Sequence, residues 1–198
     1  LISCKFFVEK SLLNISEILD YINPKLINKI LYTSSSSVYG SIGGKIDFSD
    51  KNNRLIYSSL KIAAENLFKN FCTKNKINFD ICRVFNIYGP NDNFSIVSKL
   101  VELKNSNKKI QIFNNGDSVR DFIHVEDVVS IYKKLLKIKG FNSFDVGTGN
   151  GTRIKEIIDK LKYTSENIIY VKGKNFEIDK SIANNNDLLK KITFKRFK

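Results

Sequence analysis

The stretch KILYTSSSSVYG, residues 29–40, decides the fold. Ile30, Leu31 and Tyr32 lie in an apolar run short enough for a buried strand over Lys29–Thr33, and it passes directly into Ser34, Ser35, Ser36 and Ser37. A polar cluster at the end of a buried strand is a loop at a sheet's carboxyl edge, where open α/β sheets bind ligands. The flanking sequence supplies the helices that such a strand needs as cover. Upstream, Leu12, Ile15, Leu19 and Ile22 recur at helical spacing, which predicts a helix over Lys10–Ile22 closed by Pro24. Downstream, residues 41–56 are polar and irregular, and a second helix starts near Tyr57 with Leu60, Ala63, Ala64, Leu67, Phe68 and Phe71 as its apolar stripe.

Further out, Phe79–Ile87 reads as a strand apolar nearly throughout, ending at the turn Tyr88-Gly89-Pro90. A helix over Ser95–Leu103, a strand at Ile110–Phe113 and a polar, then extended, segment from Gly116 to Val125 follow. The next helix, Glu126–Ile138, places Val128, Val129, Tyr132, Leu135 and Leu136 inward. Phe141–Val146 is a strand ending in Gly147-Thr148-Gly149, and Thr152 is placed to cap a helix carrying Ile154, Ile157, Ile158 and Leu161. A strand at Ile168–Val171 and a helix at Asn186–Ile192 finish the pattern. Helices alternating with apolar strands mean α/β with a mainly parallel sheet. The division falls at about Pro90, giving a sheet core over residues 1–90 and a smaller lobe over 91–198, with 141–151 returning to the sheet.

Composition narrows the classes. Of 198 residues 42% are apolar, enough for a packed core, and no apolar run approaches membrane-spanning length. The net charge of +13 raises a nucleic-acid or anionic surface as an alternative, but the lysines lie singly or in pairs, without a basic helix or an aromatic stacking motif beside them. The sequence therefore predicts neither nucleic-acid nor membrane binding. Cys4, Cys72 and Cys82 are odd in number and form no CxxC pair, so neither a disulfide scaffold nor a metal site is expected; a reducing cytoplasm fits. The chain begins at Leu1 and holds no methionine, which raises the expectation of a fragment or a processed product.

Two residues stand out for chemistry. Tyr57 and Lys61 are four apart, so they share one face at the start of a helix. An ammonium near a phenol, aided by the positive helix amino end, favours the phenolate and suits the tyrosine to general acid–base work. A serine at the sheet edge can hydrogen-bond a reacting hydroxyl. The only histidine, His124, is expected to be a core or hydrogen-bonded group, and Gly147-Thr148-Gly149 a tight turn, since it lacks the GxGxxG spacing of a phosphate loop.

Taken in order, YTSSSSVYG (32–40), YSSLKIAAE (57–65), RVFNIYGP (83–90), NNGDSVRDFIHVEDVV (114–129) and FDVGTGNG (144–151) resemble the extended short-chain dehydrogenases/reductases, the NAD-dependent epimerase/dehydratases of nucleotide sugars. The resemblance spans most of the chain. It implies a partial Rossmann-like, doubly wound parallel sheet with a small interleaved C-terminal substrate-binding lobe, and NAD as cofactor. Tyr57 then matches the catalytic tyrosine, Lys61 the lysine that holds the nicotinamide ribose, and Ser35 the catalytic Ser/Thr position. Ser34 and Phe85 join the cofactor side; Ser36 and Asn86 face the substrate; Arg120 grips the diphosphate, as a guanidinium fork suits phosphate oxygens. The competing reading of Arg120 is a surface pair with Asp121. A homodimer through the helix carrying Tyr57 is also implied.

Two departures from the family pattern shape the expectation. The glycine-rich strand–turn–helix that reads the dinucleotide has no counterpart in residues 1–198 and would be expected ahead of Leu1, so the chain as it stands is expected to bind NAD poorly. Dehydratases of this family resemble Thr-Asp-Glu where this chain has Ser35-Ser36-Ser37, and serines cannot supply that acid–base pair. The resemblance thus implies an epimerase, acting at C4 of a UDP- or TDP-sugar by transient oxidation. A dehydratase, reductase or decarboxylase on the same scaffold, and a non-catalytic fragment or anion-binding module, are the alternatives.

Overall fold

A computed structural model describes residues 4–40, 54–104, 106, 109–163, 165–171 and 178–193. The helices α1 (Cys4–Val8) and α2 (Asn14–Tyr21) are joined by a π-helical turn, Glu9–Leu13. This helical run therefore begins at Cys4 rather than Lys10, and it ends where Ile22 turns extended before Pro24. Strand β1 (Lys29–Ser35) is longer than expected and takes in Ser34 and Ser35; a 3-10 turn, Ser36–Tyr39, follows. Most of the irregular segment 41–56 lies outside the described residues. Helix α3 runs over Arg54–Asn75, strand β2 over Asn78–Val84 and strand β3 over Asn86–Tyr88. The single strand read over Phe79–Ile87 is thus two, broken at Phe85, and β2 and β3 belong to different sheets.

The chain continues as α4 (Ile96–Lys104), β4 (Ile110–Phe113), β5 (Val119–Arg120), β6 (Phe122–His124), α5 (Val125–Leu135) and β7 (Phe141–Val146). It ends in β8 (Thr152–Arg153), α6 (Ile154–Lys160), β9 (Ile168–Val171), β10 (Lys180–Ser181) and α7 (Asn186–Lys191). Thr152 does not cap α6: it lies in a short antiparallel bridge to Arg120, and Arg153 precedes the helix with no side-chain cap.

Backbone contacts divide the chain into one unit of residues 1–84 and 132–145 and another of residues 85–131 and 146–198. The first unit holds the sheet ordered β1-β2-β7. β1 and β2 are parallel, from Lys29 opposite Asn78 to Ser35 opposite Val84. Its core is Cys72, Ile77, Phe79 and Ile81, covered by Ile27, Ile30, Tyr32, Phe68 and Phe71. The buried stripe of α3 is Leu60, Ala64, Phe68 and Cys72, while Leu67, expected inward, is 39% exposed. Similarly α5 buries Val128, Ile131 and Leu135 and leaves Val129 outward, while Leu136, expected inward, lies just past the helix and is exposed.

The β2 strand also carries a buried charge. Asp80 is fully buried and pairs with Lys29 Nζ at 2.6 Å, while Asn142 Nδ2 donates to Asp80 Oδ1 at 2.7 Å. Lys29 Nζ also donates to the carbonyls of Leu135 (2.7 Å) and Ile138 (2.5 Å), so the end of α5 is fastened beside the start of β1. Two charges taken out of water are tolerable here because each is both paired and hydrogen-bonded.

The second unit is built from small sheets: parallel β3 with β6, parallel β4 with β9, and β5 between β10 and β8. Its core cluster is Leu100, Ile112, Ile158 and Ile168, from one side of α4, β4, α6 and β9. No helix among the described residues is long and apolar enough to cross a membrane.

Candidate functional site

In the first unit, the carboxyl end of β1 and the first turns of α3 bring the sequence motifs together. Ser35 is extended, its Oγ accepting the backbone N–H of Ser37 at 3.2 Å, and the 3-10 turn closes at Gly40, whose φ of 64° is a glycine conformation. This turn, bearing Ser36, packs against α3. On α3, Lys61 Nζ donates to the backbone carbonyl of Thr33 at 3.0 Å, so the lysine is tied to the strand that ends in the serines. The same ammonium stands 5.8 Å from the centroid of the Tyr57 ring and 5.2 Å from that of Tyr32. The expected facing of Tyr57 and Lys61 is therefore present, and Tyr57 is 41% exposed, open to a ligand. Burial pulls the Lys61 ammonium below its ordinary pKa, with Glu65 acting the other way. Tyr32 is pushed up to about 12, chiefly by burial and then by Tyr57 and Glu65, which keeps it a neutral neighbour.

Sequence reading passed over the groups that hold this arrangement. Ser34 is buried, and its Oγ donates to Glu65 Oε1 at 2.5 Å. Glu65, also buried, receives Arg83 in a two-point grip, Nε to Oε1 at 3.0 Å and Nη2 to Oε2 at 2.8 Å. Arg83 Nη1 donates to the Tyr39 hydroxyl at 3.0 Å, and that hydroxyl donates to Asp145 Oδ1 at 2.5 Å. Ser34, expected beside the cofactor, has its hydroxyl committed to Glu65. Tyr132 adds a hydroxyl contact of 2.9 Å to Thr33 Oγ1. A signal existed: Glu65 is a charge next to Ala64 on the buried stripe of α3, and a charge there requires a partner.

The second unit holds Phe85, Asn86 and Arg120, which together line a cleft of about 560 Å³. Phe85 is buried. Asn86 donates from both its backbone N–H (3.0 Å) and Nδ2 (3.1 Å) to the carbonyl of Asp121. Arg120 Nη1 donates to the carbonyl of Val119 at 2.9 Å. The surface-pair reading of Asp121 does not hold, because its side chain is fully buried. Asp121 Oδ1 accepts the N–H and hydroxyl of Thr148 (2.9 and 2.7 Å), and Oδ2 accepts the N–H groups of Gly149 (2.9 Å) and Ala183 (3.1 Å). The Gly147-Thr148-Gly149 turn is thus wrapped on a carboxylate, and a Cβ at Gly147 would lie 2.6 Å from Asp121 Oδ2.

Other polar groups of the cleft also went unread. Asp92 is held well below the ordinary carboxylate range by Ser95, the Phe94 N–H and Ser98, while Ser95, just ahead of α4, accepts the Ser98 N–H as the helix cap. The Ser118 hydroxyl is buried with no hydrogen-bond partner among the described residues. His124 accepts the Glu126 N–H at 3.3 Å and packs edge-on to Tyr88, the hydrogen-bonded role expected of it.

A parallel sheet whose carboxyl edge carries serines, beside a tyrosine and lysine one helical turn apart, defines a protein of the extended short-chain dehydrogenase/reductase class. The chain belongs to the NAD dependent epimerase/dehydratase family, whose family model matches residues 6–147. It is 31% identical over 160 residues to a dTDP-D-glucose 4,6-dehydratase of Dictyostelium discoideum, covering 72% of this chain and 36% of that protein. It is 30% identical over 156 residues to an ADP-L-glycero-D-manno-heptose-6-epimerase of Brachyspira hyodysenteriae, covering 72% and 49%. The chain thus spans about a third to a half of the length of these relatives. Among solved structures, MoeE5 in complex with UDP-glucuronic acid and NAD aligns with a TM-score of 0.83 at 21% identity, covering 98% of this chain and 68% of that one. A UDP-N-acetylglucosamine 4-epimerase from Methanobrevibacter ruminantium M1 aligns at 0.77 and 22% identity, covering 95% and 64%.

Proposed function

We propose that the protein is an NAD-dependent nucleotide-sugar epimerase acting at C4 of a UDP- or TDP-sugar. The observation that carries the reading is the placement of Lys61, tethered to Thr33 at the strand end and facing the Tyr57 ring. The groups present suit a nicotinamide nucleoside: a half-buried ammonium, an accessible phenol and a serine turn at the carboxyl edge of a parallel sheet. When bound, NAD would supply the hydride acceptor and donor that transient oxidation of the sugar carbon needs. Tyr57 takes the proton of the sugar hydroxyl during oxidation and gives it back during reduction. Lys61 offsets the negative charge that forms on the phenol oxygen, and Ser35 orients the hydroxyl. Taken by itself, the cleft of the other unit offers donors suited to a diphosphate and a sugar hydroxyl in Arg120, Asn86 and the Ser118 hydroxyl, which has no hydrogen-bond partner among the described residues.

Epimerisation is favoured over dehydration because positions 35–37 carry three serines and no carboxylate to protonate a leaving hydroxyl. A dehydratase remains the second reading, favoured by the name of the Dictyostelium relative. The test is product analysis with NAD and UDP- and TDP-sugars, using the chain alone and joined to the glycine-loop segment of a solved relative. A C4 epimer without net NADH supports the reading; a 4-keto-6-deoxy product supports the dehydratase. A homodimer through α3, where Ile62 and Leu67 stand exposed, is part of the proposal; sedimentation of a monomer at micromolar concentration would remove it.

A further inference from the structure

We infer that Glu65 and Arg83 are positioning residues that pin the serine turn at both of its ends. The turn runs from Ser34, the last buried serine of β1, to Tyr39. At its start the Ser34 hydroxyl donates to Glu65 Oε1. At its end the Tyr39 hydroxyl accepts from Arg83 Nη1 and donates to Asp145, with the guanidinium carbon 5.0 Å from the Tyr39 ring centroid. Glu65 and Arg83 are joined to each other by two hydrogen bonds, so one ion pair closes a loop from the strand end through α3 and β2 back to the far side of the turn. Ser35, Ser36 and Ser37 lie between the two fixed points. Ser34 and Ser35 are still held in the ladder to β2; beyond them, among the described residues, the backbone bonds are the short-range ones from Ser37 N–H to Ser35 Oγ and from Gly40 N–H to the Ser37 carbonyl, and these cannot orient the turn against α3.

Glu65 sits one helical turn beyond Lys61, so the same carboxylate also acts on the ammonium that faces Tyr57 and Tyr32. The pair therefore sets the place of the serines and the field at the lysine together. This inference rests on the reading of Ser35 and Lys61 as parts of the reacting site.

The test is amide hydrogen exchange on the whole chain. The reporters are Ser37 and Gly40, with Ile77, whose N–H bonds the Cys72 carbonyl at the far end of α3, as internal control. Glu65→Gln should speed exchange at Ser37 and Gly40 by at least about tenfold and leave Ile77 unchanged. It should also lower the titration midpoint of Lys61, which a purely structural role would not move. Tyr39→Phe, which deletes one hydroxyl and keeps the ion pair, should loosen Gly40 and spare Lys61. Should Glu65→Gln fold poorly, Glu65→Leu with Arg83→Leu removes both charges together and restores packing; the turn amides should stay fast in it. Equal acceleration at all three amides, or none, overturns the inference. Full turnover in Tyr57→Phe would instead defeat the proposed reaction while leaving this exchange result intact, so the two failures are distinguishable.

Discussion

Each unit is organised on a buried carboxylate, and the two are satisfied in different ways. Glu65 in the first unit is answered by a charge, the Arg83 guanidinium, with one hydroxyl beside it. Asp121 in the second is answered by backbone N–H groups and one hydroxyl, with no cation among these contacts. An ion pair ties side chains of three elements and leaves the backbone free to vary. A carboxylate caged by amides dictates the backbone itself. The unit that carries the proposed chemistry is fixed by side chains, and the unit that carries the cleft is fixed by main chain.

The largest expected effect breaks the amide cage. Asp121→Ala would strand three backbone N–H groups and leave the Thr148 hydroxyl only its contacts to the Asn150 backbone, costing about 4 kcal/mol. Exchange at Thr148, Gly149 and Ala183 should rise far more than at Ile77, and uniform acceleration across both units would contradict the contrast. Next, Gly147→Ala forces a Cβ to 2.5 Å from the Ala183 Cβ and should cost about 2 kcal/mol in denaturant unfolding. An unchanged midpoint would show that the turn can shift off Asp121.

The smallest effects sharpen the comparison through pH. In the first unit, Cys82 is raised from its ordinary 9.0 to about 12 by burial, then by Asp80, and Tyr32 from 10.0 to about 12. Both hold their protons in the folded state beyond the point where the unfolded chain gives them up. Their contribution is complete below pH 9 and is lost as pH rises toward 12. In the second unit, Asp92 and Asp117 lie below their ordinary 3.8, through Ser95 and the Phe94 N–H in one case and Lys155 in the other. Their contribution is present above pH 3.8 and fades as pH falls below it. Exchange profiles should therefore show the first unit loosening first in alkali and the second first in acid. The reverse order would refute these assignments.

Much of the fold was legible because short apolar runs bounded by turns have few alternatives. The strands at Ile110–Phe113, Phe141–Val146 and Ile168–Val171 stand where the sequence placed them. The split at Phe85 was hidden because Val84 and Phe85 are both apolar and buried, so hydropathy does not change where the chain leaves one sheet for another. Periodicity also misassigned Leu67 and Val129, which sit at the margin of their helices' buried stripes, and Leu136, which falls just past the end of α5. In the site, Tyr57 and Lys61 could be read because helical spacing alone makes them neighbours. Glu65 left a mark, a charge on the buried stripe of α3, but its partner Arg83 and the cage around Asp121 did not, because such contacts join elements far apart in the chain and follow no period.

The central claim is that the Tyr57 phenol moves the proton under the influence of Lys61. Its most direct test is the rate of sugar epimerisation by the chain supplied with a glycine-loop segment, in the Tyr57→Phe and Lys61→Met variants. Both should lose about 10²–10⁴-fold in kcat while Arg83 and Glu65 remain untouched. Turnover in Tyr57→Phe equal to that of the parent would contradict the account.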